Sequence, residues 1–171
     1  PGLPPDPADG SWGTSVIVIQ PATTLTIEAD VETIVAGDNV TLTITECNTC
    51  DCDISDVWVE LTDGDAWTIT LDKDSSDPDA YFFGGDTDAD GVLDGAGTVA
   101  ECWVWKVKVS PAVSTTYTAD GYGLDIIGNP VPRDGETDSV EITVVAPDID
   151  IEKHTNGEDA DSPTGPMIMV G

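Results

Sequence analysis

Apolar residues in this chain recur at every second position in short runs and nowhere at helical spacing over three turns, which predicts strands throughout. The run from Thr23 to Val31 sets Leu25, Ile27 and Ala29 on one face. After a turn at Gly37 to Asn39, Val40 to Glu46 does the same with Val40, Leu42 and Ile44. Val57 to Leu61 and Trp67 to Leu71 flank Asp63-Gly64-Asp65, whose Asp-Gly step suits a hairpin. The clearest strand comes next: Trp103, Trp105, Val107 and Val109 alternate with Cys102, Val104, Lys106 and Lys108, so one face buries two indoles and the other carries charge. Thr115 to Ala119 and Ser139 to Val145 complete the set.

Seven or more short strands with turn signals between them predict an all-β fold, an immunoglobulin-like Greek-key β-sandwich with extended N- and C-terminal arms. The expected division is an arm over 1–22 containing the apolar strand Ser15 to Ile19, a sandwich over 23–146, and a linker or arm over 147–171. Pro21 and Pro147 mark the two boundaries.

Composition narrows the function. Thirty-four acidic residues against five basic ones give a formal charge of -29, which argues against nucleic acid or anionic lipid as a partner. Divalent cations, or the solvated surface of a halophile, are the natural accounts of such an excess. A hydrophobic content of 39% with five Trp is enough for a packed core. The apolar runs are too short to span a bilayer, so membrane insertion is not expected. A start at Pro1 without Met leads to the expectation of a processed, secreted chain, and Asn39-Val40-Thr41 is a glycosylation acceptor pattern that fits an extracellular, cell-surface location.

The most specific chemistry precedes the tryptophan strand. Asp86, Asp88 and Asp90 stand at positions one, three and five of a D-x-D-x-D-G pattern, Gly91 permits the sharp turn, and Asp94 falls at position nine. That spacing suits calcium, with the carbonyl of Val92 as a further ligand. Position twelve is Gly97, which cannot offer a bidentate carboxylate, so Glu101, Asp79 or Asp77 is required to complete the shell. The bland reading is that an Asp-rich chain produces such spacings by accident. Affinity of the extracellular class, on the order of 0.1 to 1 mM, is expected.

Cys47, Cys50, Cys52 and Cys102 form a second constellation. Four cysteines allow three pairings, and bonding Cys50 to Cys52 across one residue is strained. The favoured sets are therefore Cys47 with Cys50 plus Cys52 with Cys102, or Cys47 with Cys52 plus Cys50 with Cys102. A four-cysteine zinc site is the competing reading, and a secreted acidic chain favours disulfides.

The runs AGDNVTLTITECN, GDTDADGVLDG with an aromatic strand behind it, and GLDIIGNPV resemble the repeated immunoglobulin-like modules of large secreted surface proteins of bacteria and archaea. The tail IDIEKHTNGEDAD resembles the connector that opens the next module, so the resemblance spans about Thr23 to Gly171. The chain departs where those modules have Gly-Glu-x-Trp after the loop, because Gly97 to Trp103 inserts residues there. The resemblance implies adhesion or surface architecture rather than catalysis.

The residues agree that an enzyme is not expected: the one histidine, His154, lies in the polar linker, and acids are too common for a pair to signify acid-base work. Trp58, Trp67, Trp103 and Trp105 lie in strand patterns and read as core, leaving Trp12 as the indole free to stack on a sugar. Apolar runs at both ends, Val16, Ile17, Val18 and Ile19, then Met167, Ile168, Met169 and Val170, lie outside the central module and need cover. A neighbouring copy covers them if strands are exchanged between subunits, and repetition of that contact builds a filament. The resulting expectation is a calcium- and disulfide-stabilised extracellular subunit whose partners are copies of itself, with other surface components or glycans as further contacts. The rivals are one module of a surface-layer or adhesin stalk, and a carbohydrate-binding module of a secreted enzyme.

Overall fold

The computed structural model describes residues 20–95, 100–132, 136–149, 153–155 and 158–159. The runs Val16 to Ile19 and Met167 to Val170, Trp12 and Gly97 lie outside the described residues. Ten strands form the sandwich: β1 Thr23–Ala29, β2 Thr33–Val35, β3 Val40–Asn48, β4 Ile54–Thr62, β5 Thr68–Asp72, β6 Ser76–Asp77, β7 Ala80–Gly84, β8 Cys102–Val109, β9 Thr115–Asp125 and β10 Thr137–Val145. A separate short hairpin joins β11 His154–Thr155 to β12 Glu158–Asp159.

One sheet runs β1-β3-β8-β7-β6 and the other β2-β10-β9-β4-β5. Consecutive strands alternate between the two sheets at β3 to β4 and at β8 to β9, and the first stretch splits: β1 pairs with β3 while β2 pairs in parallel with the last strand, β10. This is the Greek-key connectivity of an immunoglobulin-like sandwich. Alternation explains why: β3 reads buried, half-buried, buried along its whole length, so each strand offers one apolar face to the other sheet.

Trp103 and Trp105 centre the core, at 1% and 0% exposure. Phe82 of β7 packs edge-on to both, with ring centroids 5.5 and 5.8 Å away. Each indole N–H finds an acceptor, Trp105 in the Asp72 carbonyl at 2.9 Å and Trp103 in Glu101 Oε2 at 3.3 Å, as buried indoles require. Around them lie Leu42, Ile44, Ile54, Leu61, Leu71, Leu93 and Ile142.

Two strand assignments differ from the alternation-based expectation, and a third strand is less buried than expected. Thr115 to Ala119 continues to Asp125, because Gly121 and Gly123 occupy the inward positions after Ala119 and carry no apolar signal. The Tyr81-Phe82-Phe83 stretch is itself a strand of the first sheet. In β10 only Ile142 is fully buried, since that strand lies between β2 and β9 with much of its side-chain surface open. Trp58 also departs from its expected core role: it points outward from β4 and stacks on Tyr122, its cross-strand partner, at 3.8 Å and 6°. A register shift between Ser55 and Trp58, with Asp56 at a φ of 50°, turns it to that face.

Candidate metal centre

The loop between β7 and β8 is held to the sandwich before any ion is considered. Leu93 is fully buried and exchanges both backbone hydrogen bonds with Ile54 of β4, at 2.8 and 3.1 Å. The Glu101 N–H donates to the Asp94 carbonyl at 3.1 Å, closing the loop on itself next to β8. Within it, Gly91 has a φ of +79°, a conformation that favours glycine, and its N–H donates to Asp86 Oδ2 at 3.1 Å. Asp90 Oδ1 accepts from Val92 N at 2.8 Å, and Asp88 Oδ1 from Asp90 N at 3.3 Å.

This folding brings one carboxylate oxygen each of Asp86, Asp88 and Glu101 within 4.8 Å of one another, a group that could hold a metal ion. The second Asp86 oxygen, Oδ1, is buried and has no hydrogen-bond partner among the described residues. An orphaned buried carboxylate oxygen is costly unless a cation or donor meets it, so the site fits a hard divalent ion.

Glu101 is the buried member, at 3% exposure. Burial alone would raise its carboxyl, but the hydroxyl and N–H of Thr87, the N–H of Asp94 and the Trp103 indole hold it below its ordinary value. It is therefore ionised across the neutral range. Asp94 is pushed up, first by desolvation and then by the charges of Asp88, Glu101, Asp53 and Asp90. Carboxylates crowd here, and although the Lys73 side chain lies against the loop at Gly91, the ion pair it makes is with Asp74, 3.4 Å away; a cation among the carboxylates would relieve the crowding.

Asp90 and Asp94 adjoin this group without belonging to it. Asp77 and Asp79 are elsewhere, at the far end of β7: Asp77 Oδ1 accepts from Asp79 N at 2.8 Å, and Asp79 lies 3.7 Å from Lys108. Glu101 is thus the candidate that the fold delivers, because β8 begins at Cys102 and the residue before it must lie against the loop.

The cysteine pairing corrects both favoured sets. The disulfides are Cys47 to Cys102 and Cys50 to Cys52, and no described cysteine is free, which removes the thiolates a zinc site needs. The β3–β8 register sets Cys47 directly opposite Cys102, Cα atoms 4.0 Å apart, so neither can reach the next loop. Cys50 and Cys52 are left to each other in a turn organised by buried Asn48. The Asn48 amide donates to the carbonyls of Cys52 and Leu93 at 2.7 and 2.8 Å, and its oxygen accepts from Cys50 N at 2.9 Å.

Two other sites are located. Asn39 is exposed in the turn before β3, accepting from Ser110 Oγ at 2.7 Å. Asp125 organises the turn after β9: its carboxylate accepts from Ile127 N, Asn129 N and Asn129 Nδ2 at 3.0, 2.7 and 2.8 Å. Thr87 and Asn48 are supporting residues that strand patterns do not reveal, since their roles depend on partners distant in sequence.

No protein-family model matches the chain, and no curated protein matches it. Among solved structures, the chain is similar to the CARDB domain of a Pyrococcus furiosus protein in complex with di-metal ions, at 12% identity and a TM-score of 0.48, covering 77% of this chain and 95% of that one. It is also similar to part of Astrotactin-2, a vertebrate-specific, perforin-like membrane protein involved in neuronal development, at 14% identity and a TM-score of 0.39, covering 75% of this chain and 22% of that one. Among the described residues no helix is long and apolar enough to cross a membrane.

Proposed function

We propose that the chain is an extracellular, non-enzymatic structural module whose β7–β8 loop binds one calcium ion, and that copies join by strand exchange into a surface filament, pilus or sheath. The observation that carries the calcium reading is Asp86 Oδ1, a buried oxygen without a donor, beside carboxylates of Asp88 and Glu101. In this reading Asp90, the Val92 carbonyl and Asp94, the other ligands expected from the loop spacing, would supply the further oxygens that calcium takes. The ion's task is to neutralise the loop and pin it to β8. Two disulfides and a net charge of -29 support an oxidising, cation-rich environment.

Strand exchange rests on the apolar runs at 16–19 and 167–170 and on the sheet edges. The outer edge of β1 is partly guarded, since Asp138 Oδ2 accepts from Ile27 N at 3.0 Å, whereas β5 ends the second sheet. An exposed edge is where an added strand finds backbone partners.

Chelation tests the ion: EDTA should lower the melting temperature and open residues 84–97 to protease, and unchanged stability and cleavage refute it. Size-exclusion chromatography and electron microscopy test the polymer. A chain that stays monomeric at high concentration, with both terminal segments rapidly proteolysed, belongs to a stalk instead.

A further inference from the structure

Glu46 stands at the inward position that follows Val40, Leu42 and Ile44 on β3, and it is fully buried, at 0% exposure. Glu136, which immediately precedes β10, is buried beside it at 2%, and the two carboxyls are close enough to share a hydrogen bond. Thr23, the first residue of β1, joins them. Its hydroxyl lies 2.9 Å from Glu46 Oε1 and also contacts Glu136 Oε2, while its N–H donates to Glu136 Oε1 at 3.2 Å. Gly121 of β9 closes the cluster. A side-chain carbon there would lie 2.8 Å from both Glu46 oxygens and 2.9 Å from Glu136 Oε2, so the two carboxyls meet over a residue that has none.

Counting hydrogens fixes the charge. Thr23 brings one N–H and one O–H to four carboxylate oxygens, and Glu46 Oε2 has no donor among the described residues unless a carboxyl hydrogen is present. Two adjacent carboxylates in a dry core would repel each other and lack the water that stabilises their charge. The strands packed around Glu46 offer no relief: β1 brings Thr23 and Leu25, β8 Trp103 and β9 Gly121, and the charge that acts on Glu46 is that of Glu136. Asp120, beside Gly121, accepts from the Thr137 hydroxyl, and Asp138 accepts from Ile27 N at 3.0 Å. Among the described residues the ion pairs join Lys73 to Asp74 and Lys108 to Asp79, so neither glutamate has a basic partner. One hydrogen held between the carboxyls completes the count and leaves a single buried charge. Burial, and then the charge of Glu136, accordingly pushes Glu46 up to about 9.

The place of the pair gives that hydrogen a mechanical role. β1 ends one sheet and β10 belongs to the other, so no backbone ladder joins them. Acids make the connection instead: Glu136 takes the Thr23 N–H and Asp138 the Ile27 N–H. We propose that one proton shared between Glu46 and Glu136 latches β1 to the start of β10, and that its loss in alkaline solution loosens this seam of the sandwich. The latch is independent of the calcium and strand-exchange readings.

The direction of the pH effect follows from the raised folded value. Stabilisation is complete below the ordinary value of 4.5 and is lost as pH rises through about 9. Denaturant melts of wild type and Glu46→Gln test this, because the introduced amide donates to Glu136 without titrating. Relative to the variant, the unfolding constant of wild type should rise about tenfold per pH unit between about pH 6 and 8. Hydrogen exchange at Thr23 and Ile27, compared at equal pH, should become faster in wild type than in the variant over the same range. An unfolding ratio that does not change with pH overturns the shared proton, and a changing ratio without faster exchange at those two residues overturns the latch. If the variant does not fold, infrared spectra of wild type decide: a protonated-carboxyl stretch should persist at about pH 8 and vanish by about pH 10, and its absence at the lower pH overturns the proposal.

Discussion

The two disulfides should contribute very unequally to stability. Cys47 and Cys102 are separated by 55 residues in sequence, Cys50 and Cys52 by 2. In the chain-entropy treatment, closing the longer loop removes about 4 kcal/mol of unfolded-state freedom and closing the shorter one about 1.5 kcal/mol. Cys47 is half-buried and Cys102 exposed on the outer face of the first sheet, so replacing both with alanine leaves little cavity and the loop contribution dominates. Cys52 is buried, so its replacement adds a packing loss to the smaller figure. Cys47→Ala/Cys102→Ala should therefore lose at least about 1 kcal/mol more than Cys50→Ala/Cys52→Ala. For a chain of this size a loss of about 4 kcal/mol lowers the melting temperature by roughly 8 to 16 °C. Denaturant melts of both double variants, with disulfide mapping of the wild type by mass spectrometry, test this. Equal losses, or a peptide linking Cys102 to Cys50 or Cys52, would refute the reasoning.

Trp103→Phe keeps an aromatic ring in the core but removes the N–H that Glu101 accepts, which should cost about 1 to 3 kcal/mol and weaken calcium binding; a calcium titration identical to wild type would detach Trp103 from the loop. Gly91→Ala forces a side chain into the left-handed region and should cost about 1 to 2 kcal/mol, with faster proteolysis of the loop as the readout. Asp125 gives the pH dependence. Burial opposes its ionisation, but the donors of Asn129, Ile127 and Gly128 prevail and hold the carboxyl below its ordinary value. A lowered folded value stabilises above the unfolded pKa and loses that stabilisation as pH falls through the folded one. Melting temperatures between about pH 6 and 2 should thus converge for wild type and Asp125→Ala at the acid end, and a constant gap would exclude the carboxylate as the cause.

Where burial follows a period of two, the fold was legible in the sequence: β3 and β8 appear at nearly their observed positions, and the two indoles of β8 are the core they were expected to be. Where a glycine or an acid occupies the inward position the signal fails, which hid the second half of β9 and the depth of Glu46. The three-residue β2 was invisible because it is defined by its parallel pairing with β10 rather than by its own residues. The Asp loop could be read from its spacing, yet the choice of Glu101 over Asp77 or Asp79 required knowing that β8 begins at Cys102. The disulfides turned on register: the β3–β8 pairing sets Cys47 directly opposite Cys102, which the strain argument against a Cys50–Cys52 bond could not reveal.

The parallel run of the first stretch beside the last strand has a mechanical meaning. Thr23 lies against Glu136 at the start of β10, and Val35 lies against Val145 at its end. The backbone therefore arrives at one pole of the sandwich and departs from the other. Tension between those poles acts along the strands, so the β1–β3 and β9–β10 ladders resist it in shear, with many hydrogen bonds loaded together instead of unzipped in turn.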